Sequence, residues 1–126
     1  STNGEATFRL IDSGGSVISA SEYERAFLDM LSNSSFSESG STAQNLFNVL
    51  NFNSGHDEGT GANATIYNPF NSSAFTYCTA ETSDYSSVGR GRKLVMVHKS
   101  AEQITGLNFF TSSGTFDCTA KIFGIA

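Results

Sequence analysis

Tryptophan is absent from this 126-residue chain, and proline occurs once and cysteine twice. Two cysteines are too few for a disulfide framework, so a hydrophobic core has to hold the fold. A chain of this length can build one such core, and residues 1–126 read as a single domain. With one proline against twelve glycines, turns must rely on positive φ more than on rigid corners. Charge is scarce too: charged residues make up 15% of the chain and the net charge is −5. That balance excludes a nucleic-acid footprint, which needs a concentrated basic face. The only basic cluster is Arg90, Arg92, Lys93 and Lys99. No apolar run approaches the length needed to span a bilayer, so no membrane partner is expected. Ser, Thr, Asn and Gly take the place of charge and predict a neutral, hydroxyl-rich surface. Eleven Phe supply the large apolar volume.

Along the chain, Ala6–Ile11 is apolar and β-branched and stops at Asp12-Ser13-Gly14-Gly15, a turn signal. Val17-Ile18 then resumes, which predicts a first hairpin. Residues 19–32 read two ways. As a helix, Tyr23, Phe27 and Met30/Leu31 fall at i, i+4, i+7, with Ser21 and Glu24 as a capping box. As a strand, Tyr23, Phe27 and Leu31 share one face with Arg25 and Asp29. Ser32–Thr42 reads as a polar loop, 45–52 as a short strand or helical turn, and 54–63 as a second loop. Ala64–Tyr67 is a strand ended by Asn68-Pro69, where proline removes a ladder donor. Ala74–Ala80 is a strand with Phe75, Tyr77 and Thr79 on one face, and Glu81–Gly91 is a third polar loop. Leu94–His98, Ile104–Phe110 and Thr115–Ile125 complete about seven or eight strands. The last of these alternates, with Phe116, Cys118, Ala120 and Ile122 on one face, and is expected to fill the core. The fold class is all-β, an antiparallel β-sandwich.

No catalytic constellation assembles from these residues. His56, Asp57 and Glu58 are sequence neighbours in a glycine-rich loop and point in different directions, whereas a metal site needs ligands converging from separated positions. They read as a solvated loop with a weak calcium site as the alternative. His98 ends an apolar strand and reads as structural, because no nucleophile sits in a recognisable turn. No cofactor and no metal are expected. Cys78 and Cys118 share the local frame Cys-Thr-Ala inside two predicted strands. They read either as free thiols acting as small hydrophobes or as a disulfide across the strands. Asn33, Asn63 and Asn71 match the glycosylation pattern, which has weight only in a secreted eukaryotic protein. Gly89-Arg90-Gly91-Arg92 lacks the strand–loop–helix setting of a phosphate loop and reads as a flexible connection. Arg90 and Arg92, with Asp84 and Tyr85, are the expected contacts to a partner protein, since Arg and Tyr dominate interface hot spots.

Several stretches occur in an order that resembles a family of bacteriophage virion proteins. Ile104-Thr105-Gly106-Leu107-Asn108-Phe109-Phe110 is similar to that family's Ile-x-Gly-Ile-x-Phe strand. Ser112-Ser113-Gly114 followed by Thr115-Phe116 and Lys121-Ile122-Phe123-Gly124-Ile125 is similar to its turn and closing strand. Phe8–Ser16 resembles an earlier Leu-Arg-Leu-x-Asp hairpin, and Thr65-Ile66-Tyr67-Asn68-Pro69 resembles a strand ending in Asn-Pro. The resemblance favours the strand reading of residues 19–32. It implies a jelly-roll-like sandwich in a virion accessory protein: a capsid decoration, head fibre or tail-fibre domain of marine or cyanophage type, commonly trimeric. It carries no catalytic residues. Two departures matter. The family has further strands before the first hairpin, so an N-terminal strand is expected to be missing or borrowed from a neighbour. The closing turn also lacks the family's Asn after Gly114.

The expectation is therefore a non-enzymatic structural protein located in the virion, with other virion proteins and its own copies as partners. Loops 32–42, 54–63 and 81–91 are expected to face outward. Two alternatives stay open. One is a carbohydrate- or receptor-binding sandwich using exposed aromatics, for which Tyr67, Tyr77 and Tyr85 are the candidates, the first two being expected in the core. The other is a secreted, glycosylated filament or matrix subunit.

Overall fold

The computed structural model describes residues 4–52, 59–85, 87–111, 115 and 117–124. Eight strands run in chain order: β1 Gly4–Asp12, β2 Tyr23–Leu31, β3 Phe36–Gln44, β4 Phe47–Phe52, β5 Gly61–Tyr67, β6 Thr76–Tyr85, β7 Gly89–His98 and β8 Ile104–Thr111. They form two antiparallel sheets, a three-stranded one ordered β4-β1-β8 and a five-stranded one ordered β3-β2-β7-β6-β5. The pairing nests as in a rolled hairpin, β1 with β8 in the small sheet and β2 with β7 in the large one. The two antiparallel sheets make a β-sandwich. β5, β6 and β7 instead follow one another as a meander within the large sheet.

The first turn forms as its sequence predicts. The Asp12 carboxylate accepts hydrogen bonds from the Gly14 and Ser16 amides. Gly15 takes φ +83°, which a side chain would strain. Val17 returns only as far as an isolated bridge to Ile11. Residues 23–31 are strand, so tertiary pairing overrides the local helical signal. Asp29 is compatible with an inward face because it is met by Arg92 across the strand pair, and Arg25 lies over the Phe27 ring at 5.6 Å.

Three expectations are corrected. Ser32–Thr42 is largely the edge strand β3, paired along β2 from Phe36 to Gln44. One of its faces meets solvent and the other carries Ser37, Ser39 and Ser41, so no apolar alternation marks it. Glu81–Gly91 is no long loop either, since β6 runs to Tyr85 and β7 begins at Gly89. Its polarity comes from ionic side chains placed inside the sheet pair. Finally, the described part of the C-terminal run, 117–124, forms no strand, and Ile122 and Phe123 are 76% and 79% exposed. Alternation decides which side chains share a face once a strand pairs, but it provides no partner edge. Two of the would-be inward positions, Cys118 and Ala120, are small and bring little area to bury. β3 thus replaces the predicted final strand in the count of eight.

The core lies between the sheets. Phe8, Leu10, Phe47 and Ile104 of the small sheet pack with Tyr23, Cys78, Ala80, Leu94 and Met96 of the large one. Each large apolar side chain here contributes about 1.5–3 kcal/mol. Phe47 stands edge-on to both Phe8 and Tyr23, at 5.2 and 4.8 Å between centroids. The Tyr23 hydroxyl donates to the Ile18 carbonyl and accepts from the Leu10 amide. One buried phenol thereby ties β2 to the first hairpin. Burial pushes its pKa up to about 12, despite the opposing hydrogen bond from Leu10.

Candidate functional site

The register of the large sheet lays its inward residues in rows. Tyr23, His98 and Thr76 occupy one end, and Arg90 and Asp84 the other. Three strands cover five incompletely, and β3 adds no side chain to the core cluster. The end away from Tyr23 is ionic. Arg92 donates through Nε and Nη2 to the two carboxylate oxygens of Asp29, the second at 2.8 Å, and its guanidinium lies 4.0 Å from the Phe27 ring centroid. Arg90 grips Asp84 in a second fork, at 2.9 and 2.8 Å. Its Nη1 reaches Asp29 at 4.0 Å, which joins the two pairs. Burial would raise the Asp29 carboxyl, but the hydrogen bonds and charge of Arg92, with Arg90 behind it, outweigh that and hold it below the usual carboxylate range.

Arg90, Arg92 and Asp84, expected as contacts for a partner, are thus brought together but turned inward on each other and on Asp29. Arg92 is 6% exposed. The Gly-Arg-Gly-Arg stretch is not a flexible connection but the first half of β7, where Gly91 leaves room for Met30 beside it. Tyr85 is the one member of the expected set that lies well exposed, at 45%. Cys78 and Cys118 form no disulfide. Cys78 is buried, with its thiol pushed up to about 12 by desolvation, and Cys118 is exposed. His56, Asp57 and Glu58 lie outside the described residues.

The outward face of the large sheet is the surface that the sequence reading undervalued. Leu28 and Met30 of β2, Phe36 of β3, Val95 of β7, Tyr77 of β6 and Tyr67 of β5 are all 43–71% exposed. Tyr67 and Tyr77 are direct cross-strand partners, so both stand on this face and neither is in the core. The Tyr67 hydroxyl lies 3.4 Å from Thr79 Oγ1. A shallow depression of about 510 Å³ crosses the same face, bordered by Glu24, Ala26, Gly40, Thr42 and Val95. The signal for this face was present in the sequence: β6 carries Tyr77 and Thr79 on one side and Thr76, Cys78 and Ala80 on the other. Which side is buried depends on where the small sheet docks, and alternation does not fix that.

A second arrangement joins residues from different parts of the chain. His98, at the end of β7, is fully buried, and its Nε2 faces Glu22 Oε2 at 3.3 Å and Glu102 Oε1 at 3.5 Å. Glu22 directly precedes β2, and its carbonyl accepts the Lys99 amide at 2.8 Å. His98 ends β7, as its place at the end of an apolar run predicts. The two glutamates carried no signal, because each lies outside any motif and only strand pairing brings them together.

Comparison with family models, with curated proteins and with solved structures finds no match to this chain. No helix of the described residues is long and apolar enough to cross a membrane.

Proposed function

We propose that this chain is a non-enzymatic structural protein of a phage virion, decorating the capsid or forming part of a head or tail fibre, and that it works as a trimer. The observation that carries this reading is the outward face of the large sheet. Six large apolar side chains, each 43–71% exposed, spread over five strands. Large apolar side chains left exposed together on one sheet face, here around the Lys93–Glu81 pair, mark an interaction site. Repeated copies in a particle cover such faces and sheet edges, and multivalency turns weak contacts into lasting ones. The low charge of the chain suits a densely packed coat, and the order of the phage-like motifs supports the same assignment. The experiment is the solution mass of the purified chain, followed by binding to isolated phage particles. A species three times the 13.4 kDa chain, split by Leu28→Glu or Val95→Glu without unfolding, is the expected result. A monomer that binds no virion protein overturns the proposal.

The Tyr67–Tyr77 pair favours a second reading on the same fold, a carbohydrate- or receptor-binding module. Adjacent exposed aromatic rings offer a stacking platform for a sugar face. Glycan-array binding lost in Tyr77→Ala, with the chain still monomeric, would select this reading over the first.

A further inference from the structure

We propose that Glu22, His98 and Glu102 bind a divalent transition-metal ion, with Zn²⁺ the best fit, at the junction of β2, β7 and the connection to β8. As hydrogen bonds, the His98 Nε2 distances of 3.3 and 3.5 Å to the two carboxylates are long. As the two edges that run from the imidazole in a coordination tetrahedron they fit well. Ligands about 2.0–2.1 Å from a central zinc stand about 3.3–3.4 Å apart. All three ligand atoms lie within 4.8 Å of one another.

The charges call for a cation at the same point. Two carboxylates converge on one imidazole, and the basic side chains nearby are engaged elsewhere. Lys99 spends its ammonium on Glu24 at 3.0 Å and the Thr42 carbonyl at 2.8 Å. Arg9 directs Nε to the Asn45 carbonyl and lies over the Phe110 ring.

An independent observation comes from the other side of the ring. His98 is 0% exposed, and its Nδ1 has no hydrogen-bond partner among the described residues. Its cross-strand neighbour Thr76 has a buried Oγ1 that is likewise unpartnered. Metal-bound imidazoles give their second N–H to an oxygen or a water, which fixes the tautomer with the other nitrogen's lone pair on the ion. A proton on Nδ1, bridged to Thr76 by a water, satisfies both orphans and leaves Nε2 free to ligate. The ring is held by packing against Tyr23, 4.9 Å away. The carboxylates are 45% and 31% exposed, so an ion can enter from solvent and keep water as its fourth ligand. Imidazole with carboxylate selects zinc-like ions over Ca²⁺ or Mg²⁺, which prefer all-oxygen sites.

The test is calorimetric titration of the chelator-treated full chain with Zn²⁺, alongside Co²⁺ absorption spectra. Expected are one saturable site, tetrahedral-type Co²⁺ bands, and a melting temperature raised by Zn²⁺ but not by Mg²⁺. Glu22→Gln and Glu102→Gln, both at the surface, should each weaken binding at least about 10-fold while the fold is retained by circular dichroism. Absence of saturable Zn²⁺ uptake overturns the proposal, and so does uptake that survives the Glu22→Gln/Glu102→Gln double variant.

Discussion

Asp29 and Arg92 lie directly opposite each other on β2 and β7 and share a two-pronged hydrogen-bonded contact inside the sandwich. The chain has little charge, yet it spends two of its few arginines here. Removing the carboxylate takes away the contacts that offset most of the desolvation of the Arg92 guanidinium. Asp29→Ala should therefore cost about 3–5 kcal/mol in urea unfolding. The pair Asp29→Leu with Arg92→Met should recover most of that loss, as apolar replacements of buried ion pairs commonly do. A single-variant cost within experimental error would mean that the contact is solvated.

The same carboxyl sets the acid limit of the fold. Its folded pKa is lowered, so its stabilising contribution is fully present above the unfolded value of about 3.9. As pH falls below that value and through the folded pKa, the contribution is lost. The denaturation midpoint should fall below about pH 4 in the native chain, and this component of the fall should be missing in the Asp29→Leu/Arg92→Met variant. A pH series of urea titrations with both proteins checks it.

Tyr23 makes the complementary prediction at the other end of the scale. Tyr23→Phe leaves the Leu10 amide and the Ile18 carbonyl without their buried partner, at a cost of about 1–3 kcal/mol, with the denaturant m-value unchanged. The phenol and the Cys78 thiol both have folded pKa values raised to about 12. A raised pKa contributes stability that is present below the unfolded value and lost as pH climbs toward the folded one. Stability should accordingly decline from about pH 9, where the unfolded thiol starts to ionise, and more steeply above about pH 10 for the phenol. Cys78→Ala should remove the earlier part of that decline and Tyr23→Phe the later part.

The two thiols should also separate by rate. Cys118 is exposed and Cys78 buried with a raised pKa, and only the thiolate reacts. An aromatic disulfide reagent should titrate one thiol promptly in the native chain and the second only after denaturation. Two fast equivalents would place Cys78 in an open site.

The first turn, the Asn-Pro strand end and the apolar parts of β6–β8 were legible in the sequence because turn residues bracket alternating or apolar runs, whereas 45–52 was open between strand and helical turn. β3 and the β6–β7 hairpin were not legible. Ser37, Ser39 and Ser41 are hydroxyl-bearing on a side that points toward Asp29 and its neighbours. Asp84 and Arg90 are polar because they satisfy each other inside, and Arg92 because it meets Asp29 there. A polar interior erases the contrast on which periodicity arguments depend. The segment at 19–32 shows the converse case: its helical signal is genuine locally, and only the ladders to β3 and β7 override it. Long-range pairing likewise explains why neither the outward apolar face nor the Glu22–His98–Glu102 cluster could be assembled from one strand at a time.

The C-terminal segment tests the largest gap between sequence and structure. Its alternation argues for a core strand, whereas residues 117–124 lie exposed and outside either sheet. If the exposed arrangement governs the isolated chain, trypsin should cut after Lys121 well before any site in β2 or β7, releasing Ile122 onward while the remainder stays folded. A chain ended at Phe116 should then unfold at nearly the native urea midpoint, since the side chains of residues 117–124, already in solvent, contribute little burial. A core strand carrying Ile122 would behave otherwise: losing even that side chain from a packed site costs about 2–5 kcal/mol. A truncated chain that melts far earlier would return the segment to the sandwich. One that keeps its midpoint but loses its oligomeric mass would instead make Ile122 and Phe123 contacts to a neighbouring copy.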